Sequence, residues 1–226
     1  RRFFLSNPFR LLPVSFAAMI GIGTILLMMP QATATGRKTS FLDALFTATS
    51  AVCVTGLSVV DTATHWTGFG KGTILFLIQI GGLGIVTVVS IAILLVADRI
   101  GLSHTRILAA DLSTDSYSSV GKLVRNLVLT TLAFEALFAV VLSARFFFAY
   151  DYEIQTAVVH GVFHSISAWN NAGFALYTDS FIGFANDWYL SIAVSLAVIF
   201  GGIGFPVLQS LVRHKFKWRM WPMHSK

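Results

Sequence analysis

The strongest constraint on this chain is an internal echo. Residues 46–61, FTATSAVCVTGLSVVD, return 117 positions later as residues 163–178, FHSISAWNNAGFALYT. The alignment pairs Phe46 with Phe163, Ser50 with Ser167, Ala51 with Ala168 and Gly56 with Gly173. Each stretch begins as an uncharged helix-like run and breaks into small and polar residues around one glycine. A single apolar hairpin with a turning glycine is commonplace. The same hairpin twice, each time between long apolar runs, reads as a pore loop. In an ion filter, consecutive carbonyls replace the water around a cation, so the backbone turns several C=O groups to one side. Such a backbone visits φ > 0, which glycine tolerates best.

The runs around these loops are those of an integral membrane protein. The chain is 55% hydrophobic and 12% charged, with mean hydropathy +0.75, against about 25% charged residues in a soluble domain. A hydrocarbon core roughly 30 Å thick takes about 20 helical residues to cross. Four runs qualify or nearly do: 11–30, 72–97, 126–144 with Glu135 inside it, and 188–212. Segments 44–60 and 154–178 are also uncharged, but so dense in Ser, Thr, Asn and His that they would make poor lipid-facing spans. The start, RRFFLSNPFRLLPV, has basic residues ahead of an apolar run, as signal peptides do. No clear small-residue cleavage site follows, so residues 11–30 read as a retained span. The single Cys53 excludes an intramolecular disulfide and a cysteine-rich metal site.

The order is therefore span, pore helix, glycine loop, span, given twice. Ser40 with Asp43 three residues on marks the start of the first pore helix, which should run to about Val52. A second echo supports the register: Gly81-Gly82-Leu83-Gly84 matches Gly201-Gly202-Ile203-Gly204 at an offset of 120. The expected division is a first repeat over residues 1–102, a cytoplasmic linker over 103–122, and a second repeat over 123–226 ending in a basic cytoplasmic tail. The fold class is all-α membrane protein.

Orientation follows from Lys and Arg. The termini and central loop carry twelve: Arg1, Arg2, Arg10, Arg99, Arg106, Lys122, Arg125, Arg213, Lys215, Lys217, Arg219 and Lys226. The side with the pore loops carries Arg37, Lys38 and Lys71, with Arg145 near a boundary, which places both termini in the cytoplasm of a multi-pass protein. The outer side holds Asp43, Asp61, Asp151, Glu153, Asp179 and Asp187, acids that either concentrate cations at a mouth or are merely solvated.

Other chemistry-bearing residues are fewer. Glu135 lies mid-span, where a charge costs around 2.5–3.5 kcal/mol on insertion scales, and is either a site or a structural partner of a neighbouring helix. His160 and His164, one helical turn apart, suit a metal or haem, giving a rival reading as an intramembrane enzyme or electron carrier. No second ligand cluster shares their depth. The glycine clusters at Gly81, Gly82, Gly84, Gly201, Gly202 and Gly204 either let helices approach closely or bend the spans below the loops.

The runs DALFTATSAVCVTGLSVVDT and FHSISAWNNAGFAL, each between two spans, resemble the first and second pore-loop repeats of the Trk/Ktr/HKT superfamily of potassium transporters, in particular its KtrB/TrkH-type membrane subunits. The resemblance covers nearly the whole chain. It implies four repeats around one pore, of which this chain carries two, with a single filter glycine per loop. The filter positions it implies are Val54, Thr55, Gly56 and Leu57 in the first loop, and Asn171, Ala172, Gly173 and Phe174 in the second. Relatives often carry Thr or another small residue where this chain has Cys53. The resemblance further implies uptake of K⁺, alone or with Na⁺, rather than enzyme chemistry. It implies a homodimer in the cell membrane, gated by a cytosolic ring of nucleotide-binding subunits. No resident metal or cofactor and no nucleic-acid partner is expected. Two loops enclose only half a ring of carbonyls, so two further repeats or a second copy of the chain should complete the pore.

Overall fold

The computed structural model describes the backbone of residues 8–99 and 118–203, and side chains over residues 13–84 and 125–203. Six α-helices account for most of these residues: α1 (Pro8–Leu27), α2 (Phe41–Val52), α3 (Gly68–Arg99), α4 (Ser118–Tyr150), α5 (Ile154–Trp169) and α6 (Trp188–Ile203), the last described over the same length as α5. No strand occurs among the described residues.

Helix ends follow local chemistry. α1 stops at Leu27, ahead of Pro30, which opens a 3₁₀ turn over Pro30–Ala32 because proline brings no N–H to continue a helix. Ser40 caps α2 as its sequence predicts: the hydroxyl accepts from the Asp43 amide at 3.1 Å and donates to the Asp43 carboxylate at 2.7 Å. α2 ends at Val52, where it was expected to end. α3 starts at Gly68, four residues ahead of the apolar run, and α4 extends past residues 126–144 at both ends. Its Arg125–Tyr150 stretch is by itself long and apolar enough to cross a membrane, while Pro13–Leu27 and Trp188–Ile203 are shorter apolar helices. Residues 204–212 of the fourth run, Gly204, the basic tail, and residues 103–117 of the linker lie outside the described residues.

Two packing centres position the loops. α1, α2 and α3 close around Leu27, Ala44, Ala48, Ala51, Ile74, Leu77 and Ile78. Gly23 permits this approach, since a Cβ there would come within 2.6 Å of Leu77. The same core takes in Phe163, Ala172, Phe174 and Leu176 from the second half, so the second loop packs on the first bundle. α4, α5 and α6 close around Leu142, Phe146, Ala157, Leu190 and Ala193, and Phe134 stacks on Trp169 at 4.9 Å between ring centres. Val14, Ile25, Leu129, Val140, Phe148, Ile192 and Ile199 point outward and are exposed, which suits faces turned to lipid.

Candidate functional site

Each short helix runs directly into a glycine loop, and the two transitions are built alike. After α2, the amides of Cys53, Val54 and Thr55 donate to the carbonyls of Thr49, Ala51 and Ser50 at 2.9, 3.2 and 2.9 Å. After α5, the amides of Asn170, Asn171 and Ala172 donate to Ile166, Ala168 and Ser167 at 3.1, 3.0 and 2.7 Å. Every donor and acceptor in the second set stands 117 residues after its counterpart in the first. Val54 and Asn171 both take positive φ, 52° and 56°, and Gly56 and Gly173 both sit at φ 74°. Positive φ is a strained conformation for a β-branched residue such as Val54, and nothing in the sequence signalled it.

The loops meet. A Cβ on Gly56 would overlap the Ala172 carbonyl oxygen and lie 2.9 Å from Gly173 Cα; one on Gly173 would lie 3.2 Å from Gly56 Cα. Of the eight filter positions expected from sequence, Gly56, Ala172 and Gly173 are thus in mutual backbone contact, whereas Leu57 is exposed. Phe174 is buried, and its carbonyl accepts from Ser167 Oγ at 2.6 Å. In the first loop the Thr55 hydroxyl donates back to the Ser50 carbonyl at 3.1 Å. A groove of about 290 Å³ flanks the second loop, lined by Asn171, Gly173, Phe174, Phe181, Val194 and Val198.

The glycine clusters lie against the ends of the short helices. A Cβ on Gly81 would overlap the Val52 carbonyl oxygen, and one on Gly201 the Trp169 carbonyl oxygen. These are again counterparts, since Trp169 follows Val52 by 117 residues. A Cβ on Gly82 would strike the Asn170 side chain, while Gly84 and Gly202 have no contact shorter than 3.6 Å. α3 continues as one helix through its cluster, so at Gly81 and Gly201 the glycines permit backbone contact with the loop-bearing helices.

His160 and His164 sit in an aromatic box, and His164 also borders the groove beside the second loop. The His164 Nδ1–H donates to the His160 carbonyl at 2.8 Å, and its Nε2 accepts from the Leu176 amide at 3.0 Å. The ring stacks on Tyr177 at 5.1 Å. Both nitrogens are therefore committed to protein partners. No group of three or more His, Cys, Asp or Glu suited to a metal occurs among the described residues. His164 clamps the outgoing segment of the second loop to α5. Its counterpart, Thr47, is buried with its hydroxyl unpaired, so the two loops are held differently.

Beyond the loops, Asp61 accepts from Thr64 at 2.7 Å, from the Ala63 amide at 2.9 Å, and from Thr178 of the other half at 2.8 Å. Thr178 is its own counterpart 117 residues on. Burial pushes the Asp61 carboxyl up, but these hydrogen bonds and Lys71 outweigh it and hold it below the usual carboxylate value. Asp187 caps α6 through the Tyr189 and Leu190 amides at 3.0 and 3.2 Å, and accepts from Arg145 Nε and Tyr150 Oη, both at 2.9 Å. Burial again opposes ionisation and is again outweighed, here by Arg145 first, so its carboxyl also lies below the usual range. The other acids assigned to the outer side include Asp43, which is used in capping.

Long apolar helices flanking paired short helices and glycine loops, with outward apolar faces, define an all-α membrane transporter. The family described as TrkH, cation transport protein, matches residues 2–224, and the chain belongs to it. Ktr system potassium uptake protein B of Bacillus subtilis is 36% identical over 220 residues, covering 97% of this chain and 48% of the relative. The protein of the same name from Vibrio alginolyticus is 39% identical over 210 residues, 93% and 45% of the two chains. Potassium/sodium uptake protein NtpJ of Enterococcus hirae is 35% identical over 221 residues, 97% and 48%. The chain spans about half the length of the curated relatives it matches. A family of cation transporters leaves no place for the rival enzyme reading.

Proposed function

We propose that this chain supplies half the pore of a potassium uptake protein, conducting K⁺, alone or with Na⁺, down its electrochemical gradient. The observation that carries this reading is the matched pair of loops, with the same hydrogen bonds and a glycine at φ 74° in each. Consecutive carbonyls leaving a helix end in a fixed array are what a filter requires. We assign coordination to the backbone of Val54, Thr55, Gly56 and Leu57, and of Asn171, Ala172 and Gly173. The Phe174 carbonyl is already held by Ser167, so Phe174 packs the loop. The relatives' names, potassium uptake and potassium/sodium uptake, support the choice of ions.

Because the Gly56 and Gly173 backbones touch, ions do not pass between these two loops; the path runs along their shared free edge. Carbonyls facing hydrocarbon unpaired cost several kcal/mol each, so protein must cover that edge. Two further span–loop–span repeats or a second copy of the chain would do so, and relatives about twice as long favour further repeats. The same reading takes residues 1–102 and 123–226 as repeats of a multi-pass protein of the cell membrane, with residues 103–122 as a cytoplasmic linker and both termini in the cytoplasm. It makes the protein a homodimer whose basic inner loops meet a cytosolic, nucleotide-binding ring. Expression of the complete gene in potassium-uptake-deficient cells should restore selective K⁺ uptake, and Gly56→Ser or Gly173→Ser should relax K⁺/Na⁺ discrimination or abolish uptake. Normal selectivity in both variants at normal expression would overturn the filter assignment. Residues 1–226 expressed alone should carry no selective flux as a monomer, which crosslinking and flux together can read.

A further inference from the structure

Glu135 is the one acid that the pore reading leaves unused in the middle of a long apolar helix. It is 4% exposed. Its Oε2 accepts from Gln79 Nε2 of α3 at 3.0 Å, and its Oε1 accepts from Asn170 Nδ2 at 3.1 Å. The Asn170 amide also donates to the Ile166 carbonyl at 2.9 Å and lies 3.4 Å from Gln79 Oε1. The Glu135 backbone carbonyl accepts from Ser165 Oγ of α5 at 2.6 Å. Asn170 ends α5 and immediately precedes Asn171 and Ala172, and its side chain fills the space beside Gly82. One carboxylate thus joins α3 of the first half, α4, and the residue from which the second loop departs.

Among the described residues the first loop shows no such tie. The counterpart of Asn170 is Cys53, which is exposed, and the residue 117 positions before Glu135 is Ala18. A buried acid inside a membrane helix is expensive, and such residues mark functional machinery rather than packing. Both Glu135 oxygens receive an amide N–H, so the site calls for a group that only accepts.

We propose that Glu135 is a positioning residue that sets the ion discrimination of the second loop. Its carboxylate fixes the Asn170 amide, and Asn170 fixes the turn that aims the Asn171 and Ala172 carbonyls. The Gln79 arm sets the distance of that turn from the first half. This inference rests on the filter reading of the two loops. A purely structural role would lower K⁺ and Na⁺ uptake together; positioning changes their ratio.

The test uses the complete gene in potassium-uptake-deficient cells, with KM and maximal uptake measured separately for K⁺ and Na⁺. Glu135→Gln keeps the shape but sets an NH₂ against amide donors. It should lower the K⁺/Na⁺ preference roughly tenfold, about 1.4 kcal/mol. Asn170→Ala, which leaves the carboxylate in place, should shift the ratio in the same direction. The exchange Gln79→Glu with Glu135→Gln returns a carboxylate to reach of the Asn170 amide and should restore at least part of the preference. A wild-type ratio in both single variants, or no recovery in the exchange, overturns the proposal. If Glu135→Gln does not reach the membrane, Asn170→Ala and the exchange decide it. Gly56→Ser and Gly173→Ser run alongside as controls. If they relax discrimination while the Glu135 variants do not, only this inference fails; if they too leave it intact, the filter reading fails.

Discussion

Replacing the two loop glycines by alanine should have unequal effects, and the structure sets the order. Both sit at φ 74°, so either alanine incurs the left-handed penalty, about 1–2 kcal/mol for an L-residue. At Gly173 the new methyl meets only Gly56 Cα, at 3.2 Å, which a few tenths of an ångström relieves. At Gly56 it overlaps the Ala172 carbonyl oxygen and lies 2.9 Å from Gly173 Cα and 3.2 Å from the Ala172 carbonyl carbon. These are backbone atoms of the other loop, with no rotamer to change, so forced overpacking adds about 1–3 kcal/mol. Gly56→Ala should therefore destabilise by roughly 2–5 kcal/mol and Gly173→Ala by roughly 1–2 kcal/mol. Relief at Gly56 requires the Ala172 carbonyl to turn, so a change in the first loop should alter coordination in the second. Thermal melts of the purified variants in detergent, paired with K⁺ and Na⁺ uptake, measure both consequences. Equal melting temperatures, or a larger loss of discrimination for Gly173→Ala than for Gly56→Ala, would refute the reasoning.

The spans should be as sensitive where they touch the short helices. Gly81→Ala drives a methyl into the Val52 carbonyl and should destabilise by about 1–3 kcal/mol, whereas Gly72→Ala, with nothing within 4 Å, should be neutral or stabilise by up to about 1 kcal/mol; melts of the pair in one detergent compare them directly. Asp187 should give stability a pH dependence of defined sign. Its folded carboxyl lies below the ordinary value of 3.8, so its contribution is complete above that pH and is lost as pH falls through the folded value. Asp187→Asn should melt lower than the wild type at pH 7 and show a smaller loss below pH 3.8, and equal melting at pH 7 would refute the role. His164→Phe keeps a ring but removes the acceptor for the Leu176 amide, an unpaired buried donor costing about 1–3 kcal/mol, and should destabilise with no dependence on added metal.

Much of this protein was legible before any coordinates. Apolar runs of bilayer length, Ser40 with Asp43 at a helix start, and Pro30 at a helix end act through neighbours a few residues away, and they placed α1, α2, α3 and the start of α6 to within a few residues, whereas α4 overran its apolar run at both ends. The paired loops were visible as well, because a tight turn at positive φ favours glycine, and glycine recurs at 56 and 173. The Asp61–Thr178 bond joins two residues that the alignment of the stretches pairs, but an alignment says which positions correspond, and the fold is what brings them together. Other features depended on the tertiary structure. That His164 spends its nitrogens on the His160 carbonyl and the Leu176 amide, rather than on a metal, is set by how the loop folds back on α5. That Val54 occupies a conformation its side chain resists is set by the turn leaving α2. Glu135 announces only its expense in the sequence; its partners Gln79 and Asn170 stand 56 and 35 residues away. Hydrogen bonds form across a few ångströms of space, and periodicity along the chain carries no information on which helices will bring such distant groups together.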